Sequence, residues 1–285
     1  MNQHETDRGP QAVEPELTAG ERFALRYTIG LNPAGAACSF IPKNACSLLR
    51  YSAAIHNGAI AADSDPALIH ALNRTFNLTL KEWDQSPYTF IFYRDPYRRL
   101  VSCFMDKIVG QASYCLNDLV SNMSRHPVRP GGQAQVVDIF EKITKHGTAA
   151  LHFEDFVNLL YDGRRLYANA HWIPQHLFRV RSTYSDFFCV ENMEHAKREL
   201  RAKCRFELHD PSLKLRHDLR HLKKVTHVDA HRSAASELRS LVECGEAYTY
   251  ESFYQSAEVR QKVDEMYQKD LAIFHEHFQD YALTL

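Results

Sequence analysis

The sequence predicts an α/β fold: a central, mainly parallel sheet flanked by helices. Three observations lead there. Residues 36–41 and 88–93 are apolar at successive rather than alternate positions, which suits strands covered on both faces. Each run is followed at once by a helix-start signal. Helical and strand-like segments then alternate to residue 278.

The elements follow in order. Residues 36–41 hold Cys38 and Phe40 between Gly35 and Pro42 and read as a buried strand. Residues 45–60 read as a helix with apolar Leu48, Leu49, Ala53 and Ile55, and the mixed stretch 66–81 also reads as helical. Tyr88-Thr89-Phe90-Ile91-Phe92-Tyr93 is aromatic and β-branched, a strand composition. Asp95 then supplies a helix cap and Pro96 the first helical position, and Leu100, Val101 and Phe104 continue that helix. Residues 123–133, with Pro127, Pro130, Gly131 and Gly132, read as a loop. Helices are expected over 136–145, 153–160, 191–202 and 258–278, and a strand over 186–190.

The chain has 285 residues, enough to bury a sizeable core. We read 26–285 as a single domain behind a disordered polar tail at 1–25, which carries Pro10, Pro15 and Gly20. Its net charge of −1 excludes binding of nucleic acid or an anionic membrane by bulk charge, so an anion site must be built locally. No apolar run is long enough to span a membrane, and no secretory leader pattern precedes the first strand. The seven cysteines are scattered and form no CxxC pair, which points to a reduced, cytoplasmic protein. His217 and His221 are four apart, as are His227 and His231, but no third ligand accompanies either pair, so no metal is expected.

In open α/β sheets ligands bind at the carboxyl ends of strands. The junctions at 41–47 and 93–96 should therefore frame the site. The first reads Pro42-Lys43-Asn44-Ala45-Cys46-Ser47. A tight turn into a helix offers free N–H groups to an anion, Lys43 adds a full positive charge, and Ser47 adds a hydroxyl. The pattern is not a Walker loop. The plainer reading of Lys43 is a surface lysine in an ordinary turn. At the second junction Arg94 follows the strand and can grip a phosphate bidentately. Ser102, eight residues on, shares a helix face with Arg98. The plainer reading pairs Arg94 with Asp95 or Asp106 and leaves Ser102 to packing.

Together, in this order, the two junctions resemble the two PAPS-binding motifs of the Golgi carbohydrate sulfotransferases (PAPS is 3′-phosphoadenosine 5′-phosphosulfate). The branch resembled contains the chondroitin 4-sulfotransferases and the HNK-1 sulfotransferase. Pro42 to Ser47 match a P-K-x-A/G-C-[ST] motif, with Leu48 where that branch has Asn. Arg94, Pro96, Arg99, Leu100, Val101, Ser102, Asp106 and Lys107 match the longer second motif. Phe153 to Val157, His171-Trp172 and Asp186 to Met193 are weaker echoes in the right order, whereas Leu177 to Val180 replace a cysteine-bearing segment.

The resemblance implies a P-loop-like sulfotransferase fold and a soluble, bacterial-type enzyme. It implies that Pro42, Lys43, Asn44, Ala45, Cys46 and Ser47 bind the 5′-phosphosulfate, and that Arg94 and Ser102 bind the 3′-phosphate. It places a basic residue in a late loop, for which Arg232 is the candidate. The product would be adenosine 3′,5′-bisphosphate, and the acceptor a hydroxyl on a carbohydrate, glycolipid or small molecule. Lys43 would be catalytic at the leaving oxygen. In-line attack needs a general base, and His is the usual one near neutral pH. Of His56 and His70, which lie between the motifs, His70 is preferred, with His171 second. Two alternatives stay open: a non-catalytic module that binds a nucleotide bisphosphate, and a P-loop-like kinase.

Overall fold

The computed structural model describes residues 16–111, 113–120, 128–211 and 221–285. In chain order the elements are α1 (Ala19–Leu25), β1 (Thr28–Leu31), β2 (Ala36–Ser39), α2 (Cys46–His56), α3 (Leu80–Asp84), β3 (Tyr88–Tyr93) and α4 (Pro96–Phe104). Then come α5 (Ser113–Val120), α6 (Gln133–His146), α7 (Phe153–Tyr161), β4 (Asp186–Cys189) and α8 (Met193–Cys204). The chain continues with β5 (Lys223–Val225), α9 (Ala235–Glu243), β6 (Glu246–Tyr248) and α10 (Ala257–Phe278).

The main sheet runs β1-β2-β3-β4. β2, β3 and β4 are parallel, with Cys38 opposite Phe90 and Phe92 opposite Phe188. β1 adds an antiparallel edge, pairing Ile29 with Cys38. β3 is central because its side chains suit burial on both faces: Phe90, Ile91, Phe92 and Tyr93 are fully buried. On one face Phe90, Phe92 and Phe188 pack with Leu49 and Ala53 of α2 and Leu200 of α8. On the other, Ile91, Tyr93 and Cys189 meet Phe178 and Phe274 of α10. A helical core built from α4, α7, α9 and α10 gathers Phe104, Phe153, Phe156, Trp172 and Tyr267. β5 and β6 form a separate parallel pair.

Some sequence expectations change. Ala19–Leu25, read as tail, is helix α1. Thr18 and Glu21 form its capping box, and Ala24 and Leu25 are buried beside Trp83 and Val180. Arg181 ties that helix to α3 by pairing with both Glu21 and Asp84. Residues 1–15 lie outside the described residues. The stretch 66–81 is not one helix but a 3₁₀ turn at Pro66–His70 and, later, α3. Between them Arg74 takes a left-handed backbone, φ +68°, which no α-helix tolerates. Of the loop expected at 123–133, residues 123–127 lie outside the described residues, and Gln133 already begins α6. Among the described residues no helix is long and apolar enough to cross a membrane.

Candidate active site

The first junction is a strained turn between β2 and α2. Lys43 and Ala45 both have positive φ, +74° and +55°. For residues with a Cβ that conformation costs about 1–2 kcal/mol each, so the turn must be held from outside. Asn44 holds it. Its fully buried amide donates to Phe92 O at 2.8 Å and to Gln175 Oε1 at 2.5 Å. The turn delivers the chain into α2 with no side chain capping the helix start. The first-turn N–H groups of this 11-residue helix are thus open to an anion.

Lys43 Nζ donates to Asp106 Oδ2 at 2.9 Å, and Lys107 Nζ approaches the same oxygen at 3.0 Å. Asp106 and Lys107 lie in a five-residue π-helix, Met105–Val109, that prolongs α4. Burial opposes the charge on Asp106, yet the Lys43 and Lys107 ammoniums hold its carboxyl well below the usual carboxylate range.

The second junction follows β3. Arg94 Nη1 donates to Lys43 O at 3.1 Å and Nη2 to Tyr250 Oη at 3.0 Å, while Nε faces Glu191 Oε1 at 3.4 Å. Asp95 caps α4 by accepting from Arg98 N. The plainer pairing of Arg94 with Asp95 or Asp106 is therefore not found. Arg94 and Arg98 both place their guanidinium carbons 5.8 Å from the Tyr250 ring centre. Buried Arg98 Nε has no protein partner. Ser102 lies one turn beyond Arg98, half-buried, on the same helix. Buried Arg99 donates to Pro42 O at 3.1 Å and Ile173 O at 2.9 Å, tying one junction to the other.

The histidines separate. His171 sits beside the lysine cluster, with Nδ1 2.6 Å from Asn169 Oδ1. Burial, then the positive charges of Lys107 and Lys43, push its pKa down to about 3. His70 is exposed at the end of the Pro66–His70 turn, and no hydrogen bond or ion pair joins its side chain to Lys43 or Arg94. Arg232 is 64% exposed and pairs with Glu154 at 3.2 Å. The late residue that touches Arg94 is Tyr250. Sequence reasoning also gave no role to Glu191, which lies within the Asp186 to Met193 echo, and missed Gln175, which carries no local motif. His217 lies outside the described residues, among which no three His, Cys, Asp or Glu groups gather to hold a metal.

Fold and site together are those of an α/β protein with a cationic cradle at the carboxyl ends of adjacent parallel strands. Residues 36–279 match the model of the sulfotransferase family, and the chain belongs to that family. It is accordingly a transferase acting on sulfuryl groups, and members of the family generally use PAPS as donor. No curated protein and no solved structure matches the chain significantly.

Proposed function

We propose that this protein transfers a sulfuryl group from PAPS to a hydroxyl of a carbohydrate or glycoconjugate. One observation supports this most: Arg94 donates to the backbone oxygen of Lys43, so the two cations of the two junctions form one unit. A donor with two separated anionic groups fits such a unit. The open start of α2 leaves donors available to it.

In this proposal Lys43 and the backbone from Pro42 through Asn44, Ala45, Cys46 and Ser47 hold the 5′-phosphosulfate. Arg94 and Ser102 hold the 3′-phosphate. When bound, PAPS supplies the sulfuryl group. Lys43 stabilises the charge that develops on the departing phosphate oxygen. Asp106 keeps the Lys43 ammonium aimed until the donor arrives. His171 takes the proton of the acceptor hydroxyl, because it is neutral and adjoins Lys43 and Lys107. An anionic donor neutralises the charges that depress His171, so its basicity rises in the complex. His70 is the alternative base. The carbohydrate acceptor rests on the second motif's resemblance to carbohydrate sulfotransferases.

Calorimetric titration with adenosine 3′,5′-bisphosphate, against AMP and ADP, tests the donor. The bisphosphate should bind preferentially, and Arg94→Ala should weaken it roughly ten- to hundredfold, the worth of a charge-assisted phosphate contact. Preferential binding of ADP would instead indicate a kinase. If the bisphosphate binds but no acceptor is sulfated from PAPS, the non-catalytic module gains.

A further inference from the structure

Outside both junctions, one side chain touches each of them. Gln175 is fully buried, in the turn Gln175–Phe178. Its Oε1 accepts from Asn44 Nδ2 at 2.5 Å and from Arg94 N at 3.1 Å. Its Nε2 donates to Arg94 O at 2.9 Å. The amide thus grips both backbone polar groups of Arg94 and the side chain that pins the Lys43 turn.

Gln175 is itself held from behind by α10. Asp270, fully buried, accepts from Gln175 N and, at 2.9 Å, from His176 N. Three residues earlier α10 kinks at Tyr267, whose hydroxyl donates to Trp172 O at 2.6 Å. Arg99 adds its own tie from Pro42 O to Ile173 O. The segment 172–176 is therefore anchored on one side and clasps both junctions on the other.

We infer that Gln175 is a positioning residue that fixes the spacing between the two anion-binding junctions, and so sets how strongly the protein prefers a nucleotide with both 5′- and 3′-phosphates. The inference rests on the donor reading above. A ligand with two anionic groups gains from the second contact only when the spacing is fixed beforehand. A ligand with one such group occupies one junction and does not sense the spacing. Small displacements suffice, since charge-assisted contacts weaken steeply once their geometry is lost.

The test is the ratio of affinities for adenosine 3′,5′-bisphosphate and 5′-AMP in the full-length protein. Gln175→Met keeps length and volume but removes all three contacts. The bisphosphate should weaken about tenfold or more, as expected when buried partners lose a hydrogen bond, while 5′-AMP changes far less. Near-UV circular dichroism checks folding. Should Gln175→Met fail to fold, Gln175→Glu carries the comparison. A neutral carboxyl can still donate to Arg94 O, whereas a carboxylate cannot. Relative to wild type at each pH, its ratio should therefore hold at low pH and fall as pH rises. A folded Gln175→Met with the wild-type ratio, or equal weakening of both ligands, overturns the inference. Wild type with no preference for the bisphosphate overturns the donor reading, and this inference with it.

Discussion

Lys43 adopts a left-handed backbone and points its ammonium at Asp106. In the role proposed for it, this cation acts on a developing charge rather than merely adding affinity. Lys43→Ala should lower kcat about 10²–10³-fold, the usual cost of losing one transition-state donor. Bisphosphate affinity should fall far less, and steady-state kinetics beside calorimetry compares the two. His171 gives a second prediction at this scale. Its imidazole stays neutral in the native state down to about pH 3, whereas the unfolded chain takes up its proton near 6.5. Between those values the unfolded state binds more protons, so stability falls as pH falls and nothing is lost above 6.5. Urea unfolding from pH 7 to pH 4 should show a shallower slope for His171→Gln than for wild type. Identical slopes would mean that the imidazole is not buried beside Lys107 and Lys43.

At the scale of elements, the turn into α2 holds two non-glycine residues, Lys43 and Ala45, at positive φ. Ala45 holds φ +55°, a conformation that a β-branched side chain scarcely adopts. Ala45→Val should cost about 1–2 kcal/mol of stability and weaken bisphosphate binding, while Ala45→Gly should stay within about 1 kcal/mol. Urea midpoints decide between these outcomes. The same scale shows what local sequence can carry. β3 was legible to the residue because aromatic and β-branched side chains without alternation fit only a strand buried on both faces. The start of α4 was legible because Asp95 and Pro96 act within one turn of their own position. The stretch 66–81 was misread because hydrophobic spacing resembles a helix even where Asn73, Arg74 and Asn77 interrupt it. β1 was overlooked because four residues, Thr28–Leu31, give no usable periodicity.

Across the whole molecule, the parallel pairing of β2 and β3 presents both junctions at the same end of the sheet. Leu200 of α8 is fully buried among Phe90, Phe92 and Phe188, on the face α8 shares with α2. Leu200→Ala should destabilise by about 2–5 kcal/mol through lost burial and a cavity, a large share of a typical domain's total. Bisphosphate affinity, measured well below the unfolding midpoint, should be unchanged. A parallel loss of affinity would show that the core transmits strain to the junctions.

The α/β class, the central strand, the order of the two junctions and the residue types that line them are all legible in the amino-acid sequence. Each of these is written in side chains a few positions apart. The tertiary structure alone decided which distant groups complete the site. Arg94 meets Tyr250 across 156 positions, and Asn44 meets Gln175 across 131. It also placed His171 beside the lysines and left Arg232 with Glu154. A glutamine or tyrosine reads the same in sequence whether it faces water or a buried backbone. Only the packing of α10 behind residues 172–176 turns Gln175 into a link between the junctions.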